Sequence, residues 1–126
     1  MAGKYLIDTN SVIDYLDNKL SKSAAKKLDA EQLEISVITR MELLAWRNAD
    51  AGQLAILEEF INSTTIWNLD EPIILKGIKV RKNCNIKLPD AIIAATALVY
   101  NRELVTRNNN DFKNVQGIKL INPWKW

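Results

Sequence analysis

Four acidic residues, Asp8, Glu42, Asp90 and Asp111, stand next to segments of buried character. Asp8 closes the apolar run Tyr5-Leu6-Ile7, and an acid ending such a run must find a partner or meet solvent. Glu42 follows the run around Ile35, and Asp90 follows Leu88-Pro89 and opens a segment that is apolar almost all round. Asp111 lies in Thr106-Arg107-Asn108-Asn109-Asn110-Asp111-Phe112. Each has an ordinary structural explanation as well. Asp8-Thr9-Asn10-Ser11 is rich in helix-capping types, and Thr39-Arg40-Met41-Glu42 fits a capping box. Pro and an acid suit a first helical turn, and an Asn-rich run with Asp makes a turn. Carboxylates gathered in one place repel, and the repulsion is relieved by a cation. The chain contains 0 histidines and 1 cysteine, Cys84. Nucleophile pairs built on His, a His general base and His-bearing zinc sites are therefore excluded. An all-oxygen ligand set favours Mg²⁺ or Mn²⁺ over Zn²⁺.

The segments that must position these acids alternate in type. Strands are expected at residues 4–8, 33–36, 64–69, 103–106 and 117–121. Helices are expected at 11–19, 21–29 (with Ser21 as N-cap), 39–47, 51–62, 71–82 and 90–100. The last, with Ala91, Ile92, Ile93, Ala94, Ala95, Ala97, Leu98 and Val99, reads as a helix at the centre of the domain. Alternating β and α with short connections implies an α/β class, a three-layer α/β/α domain with a central parallel sheet of four to five strands. Ligands gather at the carboxyl ends of such strands, where the acids would meet. With 126 residues, 48% apolar and 25% charged, the chain is expected to form a single globular domain over 1–126. A net charge of +2 argues against a protein that coats nucleic acid, so any such contact must come from a local patch. The N-terminal run shows no signal-peptide core, and no 18-residue apolar window is found. With one cysteine, this points to a reducing compartment, the cytoplasm.

Tyr5-Leu6-Ile7-Asp8-Thr9-Asn10, Ile35-Ser36-Val37-Ile38-Thr39-Arg40-Met41-Glu42-Leu43, Leu88-Pro89-Asp90-Ala91-Ile92-Ile93-Ala94-Ala95-Thr96-Ala97 and Leu104-Val105-Thr106-Arg107-Asn108-Asn109-Asn110-Asp111-Phe112 resemble the four motifs of PIN-domain nucleases. They look most like the VapC-type toxins of bacterial toxin–antitoxin pairs. The resemblance runs from Lys4 to Trp124 with the motifs in family order, and only the stretch from Trp67 to Pro89 is shorter than in many relatives. It implies a metal-dependent endoribonuclease. Asp8, Glu42 and Asp90 match the metal-binding acids, and Asp111 matches the fourth, most variable acid. Thr9, Asn10, Thr106 and Asn108 match polar residues that support the acids or a water. Asp8 and Asp90 are the expected direct ligands of Mg²⁺, with Mn²⁺ as substitute. Glu42 would ligate the ion or orient the attacking water, and Asp111 would act directly or through water. The resemblance also implies a homodimer and a cognate antitoxin whose tail covers the acidic pocket and places an Arg or Lys in it.

Acids repel RNA, so cations must offset them. Lys76, Lys79, Arg81, Lys82 and Lys87 form a run without an acid, either a solvated helix face or a phosphate-contacting rim. Arg40 and Arg107 adjoin the acids and are candidate phosphate clamps. Trp46, Trp67, Trp124 and Trp126 read as packing residues rather than base platforms, and Met41, Leu44 and Trp46 as core rather than interface. Three other readings compete: a PIN nuclease of RNA maturation without an antitoxin, a receiver-like Mg²⁺-binding module using Asp70 with Thr106 and Lys119, and an inactive binding module. The receiver reading lacks an acid pair after the first strand, where Thr9-Asn10 follows Asp8.

Overall fold

The computed structural model describes residues 4–126, so the first three residues of the expected 1–126 unit lie outside the described residues. Five short strands form one parallel sheet: β1 (Tyr5–Ile7), β2 (Glu34–Ser36), β3 (Thr65–Trp67), β4 (Glu103–Val105) and β5 (Leu120–Ile121), in the order β3-β2-β1-β4-β5. β1 is central, pairing Leu6 with Glu34 on one side and Tyr5, Leu6 and Ile7 with Glu103, Leu104 and Val105 on the other.

The helices fall into two layers. From β1 to β3 the chain steps outward in one direction through α1 (Thr9–Leu16), α2 (Lys22–Asp29), α3 (Val37–Leu44) and α4 (Ala51–Ser63). It then returns through α5 (Glu71–Asn83) and α6 (Leu88–Val99) to β4, and α7 (Asn109–Phe112) leads on to β5. Right-handed crossovers running in opposite directions put their helices on opposite faces. The cores show this. Tyr5, Ile7, Ile35 and Val105 pack with Val12, Leu28, Leu43, Leu57, Phe60 and Ile61 of α1 to α4. Leu6 and Leu104 pack with Val80, Ala91, Ile93, Ala94, Ala97 and Phe112 of α5 to α7. Successive strand residues thus feed opposite cores, which is why β1 reads as an unbroken apolar run rather than an alternating one, while β2 carries Glu34 and Ser36 beside Ile35. The observed sheet is the expected three-layer α/β/α arrangement.

Side-chain caps set most helix starts. Asp8, Ser21, Ser36, Asp50 and Asp70 accept from backbone N–H groups of α1 to α5 in turn, and Asp50 with Gln53 completes a capping box. Asn18 and Asn101, at φ 58° and 55°, stop α1 and α6 in the left-handed conformation that Asn tolerates.

Several expectations need correction. α3 starts at Val37 behind Ser36, so Thr39 and Glu42 are not a capping box; Thr39 is buried within the helix. The Asn-rich run is not only a turn but contains α7, and β5 is shorter than residues 117–121. Met41, Leu44 and Trp46 are on the surface rather than in the core, because Ile38, Thr39 and Leu43 are the side chains that α3 turns to the core and Trp46 lies beyond its end. The strand order overturns the receiver reading, since that class places the third strand beside the first and here β4 takes that place. Asp70 is instead the cap of α5 and accepts the Tyr100 hydroxyl. No helix among the described residues is long and apolar enough to cross a membrane.

Beneath β1 its two neighbours are joined by an ion pair. Glu34 Oε1 accepts from Arg102 Nε at 2.8 Å and Trp67 Nε1 at 2.6 Å, and Arg102 also donates to the Tyr100 carbonyl at 2.6 Å. Trp67 stacks on Tyr100, with centroids 3.9 Å apart. Removing one partner of a buried pair leaves a charge without its counterion. Arg102→Ala is therefore expected to lower unfolding free energy in urea by about 3 kcal/mol. Lys19→Ala, at an exposed pair with Asp17, is expected to change it by less than about 0.5 kcal/mol.

Candidate active site

The carboxyl ends of β1 and β4 lie side by side where the sheet changes direction, and the acids collect there. Asp8 follows β1 at once and is 5% exposed. Its Oδ1 accepts the Ser11 N–H at 3.0 Å, capping α1, and its Oδ2 accepts the Thr106 hydroxyl at 2.6 Å. The Thr106 oxygen in turn accepts the Asn108 N–H at 3.0 Å, which turns its proton toward Asp8. Asn108 thus contributes through its backbone. The side chain of Asp8 ties a strand end, a helix start and the loop after β4 together.

Glu42 projects from α3, its Oε1 accepting the Thr9 hydroxyl at 2.5 Å, with the Thr39 hydroxyl 3.3 Å from that of Thr9. α1 and α3 are therefore joined at the site by the residue pair that the capping-box explanation would have spent on the helix start. Asn10 is half-buried in the first turn of α1. Asp90 occupies the first turn of α6 after Pro89, and Asp111 lies on α7.

Asp90 and Asp111 line a cavity of about 350 Å³ together with Arg81, Asn85, Ile86, Lys87 and Asn110. Asp8 and Glu42 do not line it, but their charges reach it. Burial first, then the charges of Asp111, Glu42 and Asp8, push the Asp90 carboxyl above the usual carboxylate range, and Lys87 offsets part of this. Burial also raises Asp8, against the Thr106 and Ser11 hydrogen-bond donors and the Arg107 charge, which favour its ionised form. The four acids named from the sequence therefore share one electrostatic site.

The basic residues divide. Arg81 and Lys87 line the acidic cavity, with the Arg81 guanidinium donating to the Ile86 carbonyl at 2.7 Å. Lys82 lines a neighbouring groove of about 540 Å³ formed with Leu69, Ile73, Ile74 and Leu88, while Lys76 and Lys79 line neither. Arg40 is exposed on α3, and Arg107 is paired with Asp14. The larger groove is mainly apolar and carries no acid, whereas the smaller one holds Asp90 and Asp111. Sequence reasoning missed Asp14, whose place in the middle of an amphipathic helix gives no local sign of burial.

The donor set suits a hard divalent cation. It is all oxygen and negatively charged, and the Ser11 hydroxyl beside Asp8 is buried without a well-formed hydrogen bond. Among the described residues no three His, Cys, Asp or Glu side chains converge into a ready-made cage. Mutual repulsion accounts for acids that sense one another without closing together.

A PIN domain model matches residues 5–118. A Ribonuclease VapC of Rickettsia bellii is 25% identical over 125 residues, covering 92% of this chain and 93% of that protein. Among solved structures, a toxin–antitoxin complex from Klebsiella pneumoniae is similar at 33% identity and a TM-score of 0.77, covering 95% of this chain and 98% of its counterpart. A DNA-bound VapBC from Salmonella typhimurium is similar at 25% identity and a TM-score of 0.81, covering 94% and 96%. The chain belongs to the PIN-domain family, and within it resembles the VapC-type members.

The raised acids fix a pH dependence. A carboxyl that holds its proton more tightly in the folded than in the unfolded chain favours folding below the usual carboxylate pKa. That contribution is lost as pH rises through the raised value. Asp90→Asn is therefore expected to raise the metal-free Tm at neutral pH by a few degrees and to flatten its decline with rising pH. Mn²⁺ is expected to raise the wild-type Tm more at neutral than at acidic pH, and to raise that of the variant less. Thermal melts over pH, with and without Mn²⁺, measure both effects.

Proposed function

We propose that this protein is a metal-dependent endoribonuclease, the toxin of a toxin–antitoxin pair. The observation that carries the reading is the placement of the acids at the carboxyl edge of the sheet, with Asp8 held by Thr106 and the Ser11 N–H, Glu42 held by Thr9, and Asp90 and Asp111 lining one cavity. The relatives support the class, one being a ribonuclease and the solved ones toxin–antitoxin complexes, which favours a toxin over a nuclease of RNA maturation.

Asp8 and Asp90 would hold Mg²⁺, or Mn²⁺ in its place, with Asp111 direct or through water. When bound, such an ion polarises a phosphoryl oxygen and lowers the pKa of its water. Thr106 and the Ser11 N–H hold both oxygens of Asp8 in place before substrate arrives. Glu42, oriented by Thr9, would hold the attacking water or ligate the ion. Arg81 and Lys87 line the acidic cavity and would offset its repulsion of a phosphate strand. With water as nucleophile, the products carry a 5′-phosphate and a 3′-hydroxyl, and the ribose 2′-hydroxyl takes no part.

The same reading includes a single domain over 1–126, a cytoplasmic site of action, an antitoxin and a homodimer. Exposed apolar side chains support the partner surfaces: Met41, Leu44 and Trp46 near α3, and Ile74, Leu75 and Ile78 on α5. These are large residues whose exposure is costly in a solitary molecule.

Purified protein, free of antitoxin, is expected to cut a cellular RNA pool with Mg²⁺ or Mn²⁺ and not with EDTA. Asp8→Asn and Asp90→Asn should each lower the rate at least roughly 100-fold, and Thr106→Val by roughly 10- to 100-fold through looser placement of Asp8. End mapping checks the mechanism, because cyclic phosphate ends would refute attack by water.

A further inference from the structure

Asp14 is the least exposed acid among the described residues, at 1%, and it takes no part in the cluster of four. Its Oδ2 accepts the Trp124 indole N–H at 2.9 Å and lies 3.3 Å from Arg107 Nη1, which is 3.4 Å from Oδ1. Three remote segments meet in this contact: α1, the residue after Thr106, and the 3₁₀ turn Pro123–Lys125. A buried carboxylate is costly unless its partners are well placed, so an arrangement that gathers both donors around one acid restricts where Arg107 can lie.

Arg107 is held along one edge only. Its side chain is 44% exposed, and among the described residues Asp14 is its one ion-pair partner. It follows directly on Thr106, whose hydroxyl holds Asp8, at the edge of the sheet where the acids collect. A guanidinium carries five N–H donors in a planar fork, so one edge can be anchored on a carboxylate while the other meets a phosphate. Lysine cannot divide its contacts in this way.

Building on the ribonuclease reading, we propose that Arg107 contacts a phosphate of the RNA strand lying beside Asp8, and that Asp14 and Trp124 are its positioning residues. A loose arginine loses rotamer freedom when it meets a phosphate, whereas one already anchored loses less. The C-terminal turn is then part of the substrate surface, although it holds none of the four acids. The proposal fixes the sign of an otherwise ambiguous substitution. Asp14→Asn removes a negative charge, and by charge alone it would tighten RNA binding. Positioning demands that it weaken binding.

Fluorescence anisotropy of the full chain with a labelled single-stranded oligoribonucleotide, with Ca²⁺ in place of Mg²⁺ and over a series of salt concentrations, tests this. Arg107→Ala, Arg107→Lys and Asp14→Asn are each expected to weaken binding roughly tenfold, and Arg107→Ala to reduce the salt slope by about 1. Asp14→Asn should add nothing in an Arg107→Ala background. Trp124→Phe, which keeps the ring and loses the N–H, should weaken binding in the same direction and likewise add nothing there. If Asp14→Asn does not fold, this second variant and its double carry the same comparison, with melting curves confirming the fold. Unchanged or tighter binding by the variants would overturn the proposal. So would a full loss persisting without Arg107, or no RNA binding by wild type. Cleavage assayed in parallel with Mn²⁺ keeps the two readings apart: RNA bound through Arg107 but never cut would refute the ribonuclease and leave this contact standing.

Discussion

The arrangement depends on keeping a carboxylate buried at the end of the central strand. Asp8 is 5% exposed, in surroundings that disfavour its charge, and it stays because both oxygens have donors. One donor is the start of α1 and the other is the loop after β4. The same two bonds that make the charge tolerable therefore fix the strand, the helix and the loop relative to one another. Their loss would release the geometry of the site along with the charge.

The parallel sheet explains why the other acids arrive at the same place. Strands of two or three residues are too short to carry functional side chains within them, so those residues fall on the connections at the carboxyl edge. Because the chain steps one way from β1 to β3 and returns to the other side of β1 for β4, the connections after β1 and β4 are neighbours. Travel in opposite directions along the sheet also places α3 on one face and α6 on the other, yet both reach this edge. Glu42 and Asp90 thus approach from opposite layers. Ion pairing beneath β1, through Glu34 and Arg102, secures the two strands that flank it.

The sheet edge is polar and acidic, while the outer helical surfaces carry apolar side chains such as Met41, Leu44, Leu75 and Ile78 among their charged ones. The acidic cavity and the apolar groove beside it share Arg81, so a charged site and a surface suited to packing meet at one residue. Donors from Thr106 and Ser11 and the charge of Arg107 favour the ionised form of Asp8, whereas the charges of Asp111, Glu42 and Asp8 disfavour that of Asp90 and Lys87 favours it. The two acids expected to hold one ion thus start from different balances.

Much of this was legible in the sequence. The apolar run of β1, the short apolar segments of β2 and β4, and the Ser21 cap were legible, because strand burial and N-cap hydrogen bonds are local consequences of residue type, whereas α1, α3 and α6 start two residues before their expected positions. Motif order and spacing named Asp8, Glu42, Asp90 and Asp111, since each lies beside a predicted strand end or helix start. What the local pattern could not decide was which of two valid uses a residue serves. Thr39 and Glu42 fit a cap, and became a link to α1 instead; Met41, Leu44 and Trp46 fit a core, and face outward. Asp14 and Arg107 gave no sign of each other across the chain. Capping and strand burial are settled within a few residues, so the sequence by itself determined most of the elements and singled out the acids. Charge coupling, helix-face choice and the Asp14–Arg107–Trp124 contact depend on distances between segments remote in the chain, and only the tertiary structure decided them.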